Sequence, residues 1–190
     1  MKKPPDDIAK KLIDAADHFT GTGFSVSMDE LAKATAVPRA TLYYYFSGKD
    51  DVVAFFLNHK LDLAHDAIAK AAVGEGSPTE RIGNIVRAVL HSMAEHPALC
   101  TELPGAMRNM ANFAELALNA ERTVMAPVRE VIIEGKATGE FDVPDVETAT
   151  VALQGAVSQV ALSALLKDDQ FDPDDLADKL VPLIQKGLTA

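Results

Sequence analysis

Apolar residues recur at three- and four-residue spacing along nearly the whole chain, and no segment alternates apolar and polar residues as a half-buried strand would. The pattern predicts an all-α protein of about nine helices. The first runs over about 6–20 with Ile8, Leu12, Ala15, Ala16 and Phe19 on one face, the second over 28–34 with Met28, Leu31 and Ala32. The third, 38–45, carries Leu42, with Phe46 four residues on. A long fourth helix, 49–73, has Val52, Val53, Phe56, Leu57, Leu61, Leu63, Ala64 and Ile68 as its apolar positions. Gly74-Glu-Gly-Ser-Pro78 breaks the chain before a fifth, 78–95, built on Ile82, Ile85, Val86, Val89, Leu90 and Met93. Pro97 opens a sixth that ends or bends near Pro104 and Gly105. A seventh spans 111–137, with a kink predicted at Pro127, which lacks an N–H, and Gly139 closes it. The eighth covers 145–166. Asp172 and Pro173 are suited to cap and start the ninth, 173–187.

The eighth helix has almost no charge for about five turns, so it should be buried on several sides. Its small residues (Ala152, Gly155, Ala156, Ser158, Ala161, Ser163) let another backbone approach. The ninth helix carries Leu176, Leu180, Val181, Leu183 and Ile184 as a stripe. Helices 145–166 and 173–187 can therefore bury this surface against a two-fold copy, forming a four-helix homodimer interface; one monomeric core is the alternative.

The sharpest chemistry lies in residues 27–49. Ser27 stands three residues before Glu30, the spacing of a reciprocal cap. Pro38 suits the first position of the third helix. With Leu42 and Phe46 turned to a core, Arg39, Thr41, Tyr43 and Tyr45 are left to point elsewhere, and Tyr44 is expected to pack inward. A short helix with an exposed stripe of arginine, hydroxyls and aromatic rings suits the major groove of duplex DNA. Gly48 ends the unit, and Lys49-Asp50-Asp51 starts the next helix with acids in its first turn.

Ser27-Met-Asp-Glu-Leu-Ala32, Val37, Thr41-Leu-Tyr-Tyr-Tyr-Phe46 and Lys49, with the upstream apolar set and Gly21-Thr-Gly-Phe24, resemble the tetracycline-repressor (TetR) family of regulators over about residues 6–57. The resemblance implies a DNA-binding helix-turn-helix domain over 1–48 and a ligand-binding and dimerisation domain over 49–190, joined by helix 49–73. It implies that Arg39 reads guanine, that Ala40 and Tyr43 touch thymine methyls, and that Ser27, Thr41, Tyr45 and Lys49 hold phosphates. It also implies that an effector entering the body shifts the fourth helix and releases an inverted-repeat operator. Two residues depart from the family pattern. Ala36 stands where glycine is usual, so it must avoid positive φ or accept strain, and Ala40 adds a methyl at the DNA face.

Charge at first argues against a DNA partner, since the net charge is −10. Residues 1–60 hold 8 basic and 8 acidic side chains, whereas 61–190 hold the other 10 basic and 20 acidic ones. A neutral head on an acidic body would be oriented by the repulsion between body and DNA; the same acid also serves solubility. Apolar residues make up 48% of the chain, too many for disorder. No apolar run approaches the ~18 residues a membrane span needs, and no apolar segment follows Met1-Lys-Lys-Pro-Pro-Asp-Asp7 as in a signal peptide. A single cysteine, Cys100, rules out an internal disulfide; a cytoplasmic protein with no membrane partner is expected.

The candidate effector pocket comes from the fifth to eighth helices: Met93, His96, Leu99, Cys100, Leu103, Met107, Met110, Phe113, Leu116, Met125, Gln154 and Ser158. Methionine and leucine walls with few polar groups suit an apolar or aromatic small molecule, though the same residues also serve as plain core. His91, His96 and Cys100 are the only grouping that resembles a metal site; Pro97 sets His91 on another helix, and a metal would need a third and fourth ligand, for which Glu95 and Glu102 are the nearby candidates. No cofactor and no catalytic residue is expected, because no phosphate loop, dinucleotide fingerprint, CxxC or HExxH occurs. A helical DNA-binding protein without an effector, acting through protein partners, is the first competing reading, and an enzyme built on the His91, His96 and Cys100 cluster is the second.

Overall fold

The computed structural model describes residues 2–16, 27–106, 110–168 and 170–189, except for the side chains of residues 105 and 110–113. Phe19, the Gly21–Phe24 segment and Met107 lie outside the described residues, as do the Met110 and Phe113 side chains. The described residues are helical throughout, without strands. In order they form α1 (Asp6–Ala16), α2 (Met28–Thr35), α3 (Arg39–Tyr45), α4 (Lys49–Val73), α5 (Pro78–Glu95), α6 (Ala98–Thr101), α7 (Leu103–Ala106), α8 (Met110–Ala120), α9 (Ala126–Thr138), α10 (Val146–Asp168) and α11 (Pro173–Leu188). The predicted sixth helix is thus the broken pair α6 and α7.

The predicted seventh helix is unbroken through Pro127. A π-helical turn, Glu121–Met125, joins α8 directly to α9, and the Ala126 N–H donates to the Glu121 carbonyl five residues back. Proline cannot donate at 127. Slipping the ladder by one residue just before it lets the helix continue, which is how a π-bulge absorbs a misfit.

The chain forms two compact units, Met1–His59 with Thr101–Ala117, and Lys60–Cys100 with Leu118–Ala190. In the first, α1 packs on α2 and α2 on α3. Leu12, Leu31, Leu42 and Phe46 are wholly or almost wholly buried there. The Phe46 ring meets Phe55 of α4 edge-on, with centroids 5.7 Å apart. In the second unit α5 packs on α9, α10 and α11 around Ile82, Ile85, Val86, Leu90, Val128, Val131 and Ile132. Arg81 ties this unit internally: its Nη1 donates to the Ala72 carbonyl at 3.2 Å and its Nη2 pairs with Glu134 at 2.5 Å.

Within one chain helix α10 buries only the stripe Thr150, Leu153, Val157, Ala161 and Leu165, while Val151 and Leu166 are exposed. It is also long and apolar enough to cross a membrane, contrary to the reading from consecutive apolar residues, although only 28% of its apolar window is buried. Thr148, Gln154, Ser158, Gln159 and Ser163 interrupt every run, but they are too few to offset the alanine, valine and leucine around them. The buried stripe packs on α5, α9 and α11, as a helix of a folded body does.

Candidate nucleic-acid interface and body groove

The reciprocal cap at Ser27 forms. The Ser27 N–H and hydroxyl both donate to Glu30 Oε2 at 2.8 Å, and the Glu30 N–H donates to the Ser27 hydroxyl at 3.3 Å. These bonds, the backbone one foremost, hold the Glu30 carboxyl below its usual range. A phosphate contact by Ser27 would have to share a hydroxyl already engaged in the cap. Thr35, which no sequence pattern singles out, is buried, and its hydroxyl donates to the Leu31 carbonyl at 2.7 Å and accepts the Val37 N–H at 3.3 Å across the turn.

Ala36 accepts the strain foreseen for it: it closes α2 in the left-handed region at φ 52° and ψ 27°. It is the one described non-glycine residue with positive φ. The Cβ clash there costs about 1–2 kcal/mol, and glycine would return part of any gain through its freer unfolded state. Ala36→Gly is therefore expected to stabilise the chain by about 0.5–1 kcal/mol, read as a higher midpoint in urea. No gain, or a loss, would show that the turn carries no strain.

Pro38 sits one position earlier than predicted. Its ψ of 138° is extended, and its carbonyl accepts from the Thr41 and Leu42 N–H groups, so α3 begins at Arg39. With Leu42 and Phe46 buried, the face left open carries Arg39, Ala40, Tyr43 and Tyr44. The inward placement expected of Tyr44 is wrong: it is 61% exposed, and Tyr45 is the half-buried ring. Helical period explains this. Tyr45 lies three residues after buried Leu42, on the same side, whereas Tyr44 lies about 200° round the helix from it. Thr41 is half-buried.

The open face is organised by charge and rings. Arg39 Nη1 lies 2.7 Å from Asp29 Oδ1 of α2, and its guanidinium carbon lies 5.4 Å from the Tyr43 ring centroid. Lys2 Nζ stands 4.0 Å over the Tyr44 ring, which meets Tyr45 edge-on at 4.9 Å. Lys49 is exposed at the first residue of α4. Buried Asp51 accepts the Ser47 N–H at 2.8 Å, fixing the start of that helix.

The candidate effector residues divide between the units. Leu103 is half-buried and Leu116 fully buried in the first unit. In the second unit Met93, Leu99 and Cys100 are buried, and His96, Met125, Gln154 and Ser158 half-buried. Gln154 Nε2 donates to Ser158 Oγ at 2.9 Å, leaving Gln154 Oε1 buried without a hydrogen-bond partner. A groove of about 570 Å³ in the second unit is lined instead by residues outside the candidate set, among them Val143, Ala149, Ala152, Leu180, Leu183 and Ile184 of α10, α11 and the loop before them. Its signal in the sequence was the α11 stripe.

Burial pushes the Cys100 thiol up to about 11, so it is held as an unreactive thiol at neutral pH. Among the described residues no three His, Cys, Asp or Glu side chains gather as a metal cage would require. His91 lies instead against Asp174 of α11, Nε2 to Oδ1 at 3.0 Å.

An all-α chain that opens with a capped helix-turn-helix defines a class, the helical DNA-binding regulators. The chain belongs to the TetR family: residues 75–188 match the tetracyclin repressor-like C-terminal domain, and residues 12–54 match the bacterial regulatory proteins of the tetR family. It is therefore a TetR-family DNA-binding transcription regulator. Among solved structures it is similar to the fatty acid degradation regulator FadR from Bacillus halodurans, with 24% identity over 99% of this chain and 98% of that one and a TM-score of 0.78. FadR from Bacillus subtilis in complex with stearoyl-CoA is 15% identical over 96% of this chain and 98% of that one, with a TM-score of 0.75. AibR in complex with isovaleryl coenzyme A and operator DNA is 18% identical over 94% and 97%, with a TM-score of 0.74. No curated protein matches the chain.

Proposed function

We propose that this protein is a cytoplasmic, homodimeric repressor that binds an inverted-repeat operator through residues 1–48 and is released when an effector with an apolar part enters the body, residues 49–190. The observation that carries the DNA reading is the open face of α3, where Arg39, Ala40, Tyr43 and Tyr44 stand exposed behind a fully formed cap and turn. Arg39 offers a fork to guanine N7 and O6, and Ala40 and Tyr43 offer apolar contact to thymine methyls. Thr41, Tyr45, Lys49 and the shared Ser27 hydroxyl hold phosphates, Lys49 with the help of the α4 N-terminal amides. Tyr44, with Lys2 over its ring, joins this set.

Two similar structures hold acyl-coenzyme A molecules, one with a long and one with a short acyl chain. Acyl-coenzyme A esters are therefore the first effectors to test. Within the second unit Met93, Leu99, Cys100 and Met125 offer apolar walls to an acyl chain, and His96, Gln154 and Ser158 offer polar partners.

Binding should be measured by fluorescence anisotropy on the protein's own promoter fragment and on a scrambled duplex. Arg39→Ala is expected to lose about tenfold in discrimination per half-site. Lys49→Ala is expected to weaken both duplexes alike and to reduce the salt slope by about 1 per phosphate lost. Equal discrimination by Arg39→Ala and wild type would remove Arg39 from the reading role.

A further inference from the structure

We propose that Asp29 is a specificity-determining residue of the DNA site: from α2 it aims the Arg39 guanidinium at base edges, acting through Arg39 rather than on DNA itself. The proposal rests on Arg39 reading bases. An exposed arginine samples many rotamers and loses that freedom on binding. Here two groups confine it before any DNA arrives. Asp29 Oδ1 holds Nη1 at 2.7 Å from across the turn, and the Tyr43 ring lies 5.4 Å from the guanidinium carbon one helical turn on. The guanidinium has five N–H donors in a planar fork, so one bond to Asp29 leaves others free for a guanine.

The charge of Asp29 supports the same conclusion. A carboxylate beside a DNA-facing arginine opposes phosphate binding and by itself lowers affinity for every duplex. Asp29 is not needed for the α2 cap, which Ser27 and Glu30 complete between themselves. What it does supply is direction for Arg39, so it trades general affinity for discrimination.

The test is anisotropy at fixed ionic strength with the promoter fragment and the scrambled duplex, on wild type, Asp29→Ala, Asp29→Asn, Arg39→Ala and the Asp29→Ala/Arg39→Ala pair. Asp29→Ala should cut the promoter-to-scrambled affinity ratio by about threefold to tenfold, while affinity for the scrambled duplex stays level or tightens. Asp29→Asn keeps an acceptor without charge and should fall between wild type and Asp29→Ala. On the Arg39→Ala background the Asp29 change should leave the ratio unmoved. A purely structural role would weaken both duplexes together and would persist without Arg39, and either result overturns the proposal. So does a ratio that rises in Asp29→Ala, which would make the carboxylate a mask over Arg39. If Arg39→Ala itself leaves the ratio at the wild-type value, base readout by Arg39 fails and this proposal fails with it. If Arg39→Ala lowers the ratio and Asp29→Ala does not, only the present inference fails.

Discussion

Gly135→Ala is expected to destabilise the chain by about 1–3 kcal/mol, the usual cost of forcing extra atoms into a packed site. After α9 the chain turns at Gly139, φ 79°, and folds back so that the Phe141 N–H donates to the Gly135 carbonyl at 3.0 Å. The Phe141 ring, 4% exposed, then lies directly on Gly135, and a Cβ there would overlap the ring atoms Cδ2, Cε2 and Cγ. The ring cannot swing clear cheaply, because its own backbone is bonded to the residue it would have to leave. For a chain of this size each kcal/mol moves the melting midpoint by about 2–4 °C. Phe141→Ala alone is expected to cost about 3–5 kcal/mol. On that background the Gly135→Ala penalty should vanish, since the clash has lost one partner. Equal penalties in both backgrounds would show that helix geometry, and not the ring, makes glycine necessary.

Leu183→Glu is expected to convert the protein to a monomer and to weaken operator binding by about two orders of magnitude, the gain two linked heads have over one. Leu183 is 68% exposed on α11 and lines the groove with Leu180 and Ile184. Val151 at 59% and Leu166 at 76% exposure extend the apolar surface along α10. A charge introduced into an apolar interface is left unpaired and dry, which is among the costliest single changes. Within one chain the same side chain points into the open, so folding should survive. Light scattering gives the oligomeric state and circular dichroism the fold. A Leu183→Glu protein that stays dimeric and binds the promoter normally would move the homodimer interface away from α11.

The first unit could be read from the sequence because its determinants are local. The Ser27–Glu30 cap needs only three-residue spacing, and Leu42 with Phe46 needs only four; both formed as read. The sequence alone does not place Tyr44, because three adjacent tyrosines offer no contrast and only the position of Leu42 decides which ring turns inward. Pro127 predicts a kink because a proline removes one N–H; that the ladder slips to a π turn instead depends on Ala126 finding the Glu121 carbonyl. The remaining misses concern residues that meet across a turn or fold-back. Asp29 and Arg39 stand ten apart, and the Gly135–Phe141 contact exists only once the chain turns at Gly139. The apolar stripe of α11 was visible, but the groove it lines with α10 required the pairing of two helices.

In the proposed function, paired copies of this chain present α3 to successive turns of a double helix. Footprinting of the purified protein on its own promoter region, with the bound stoichiometry measured in the same low-salt buffer, tests it most directly. Two chains, or a multiple of two, are expected over an inverted repeat whose half-site centres lie about 34–36 Å apart or a multiple of that distance. A single bound chain, or protection no stronger on the promoter than on scrambled DNA, would contradict it.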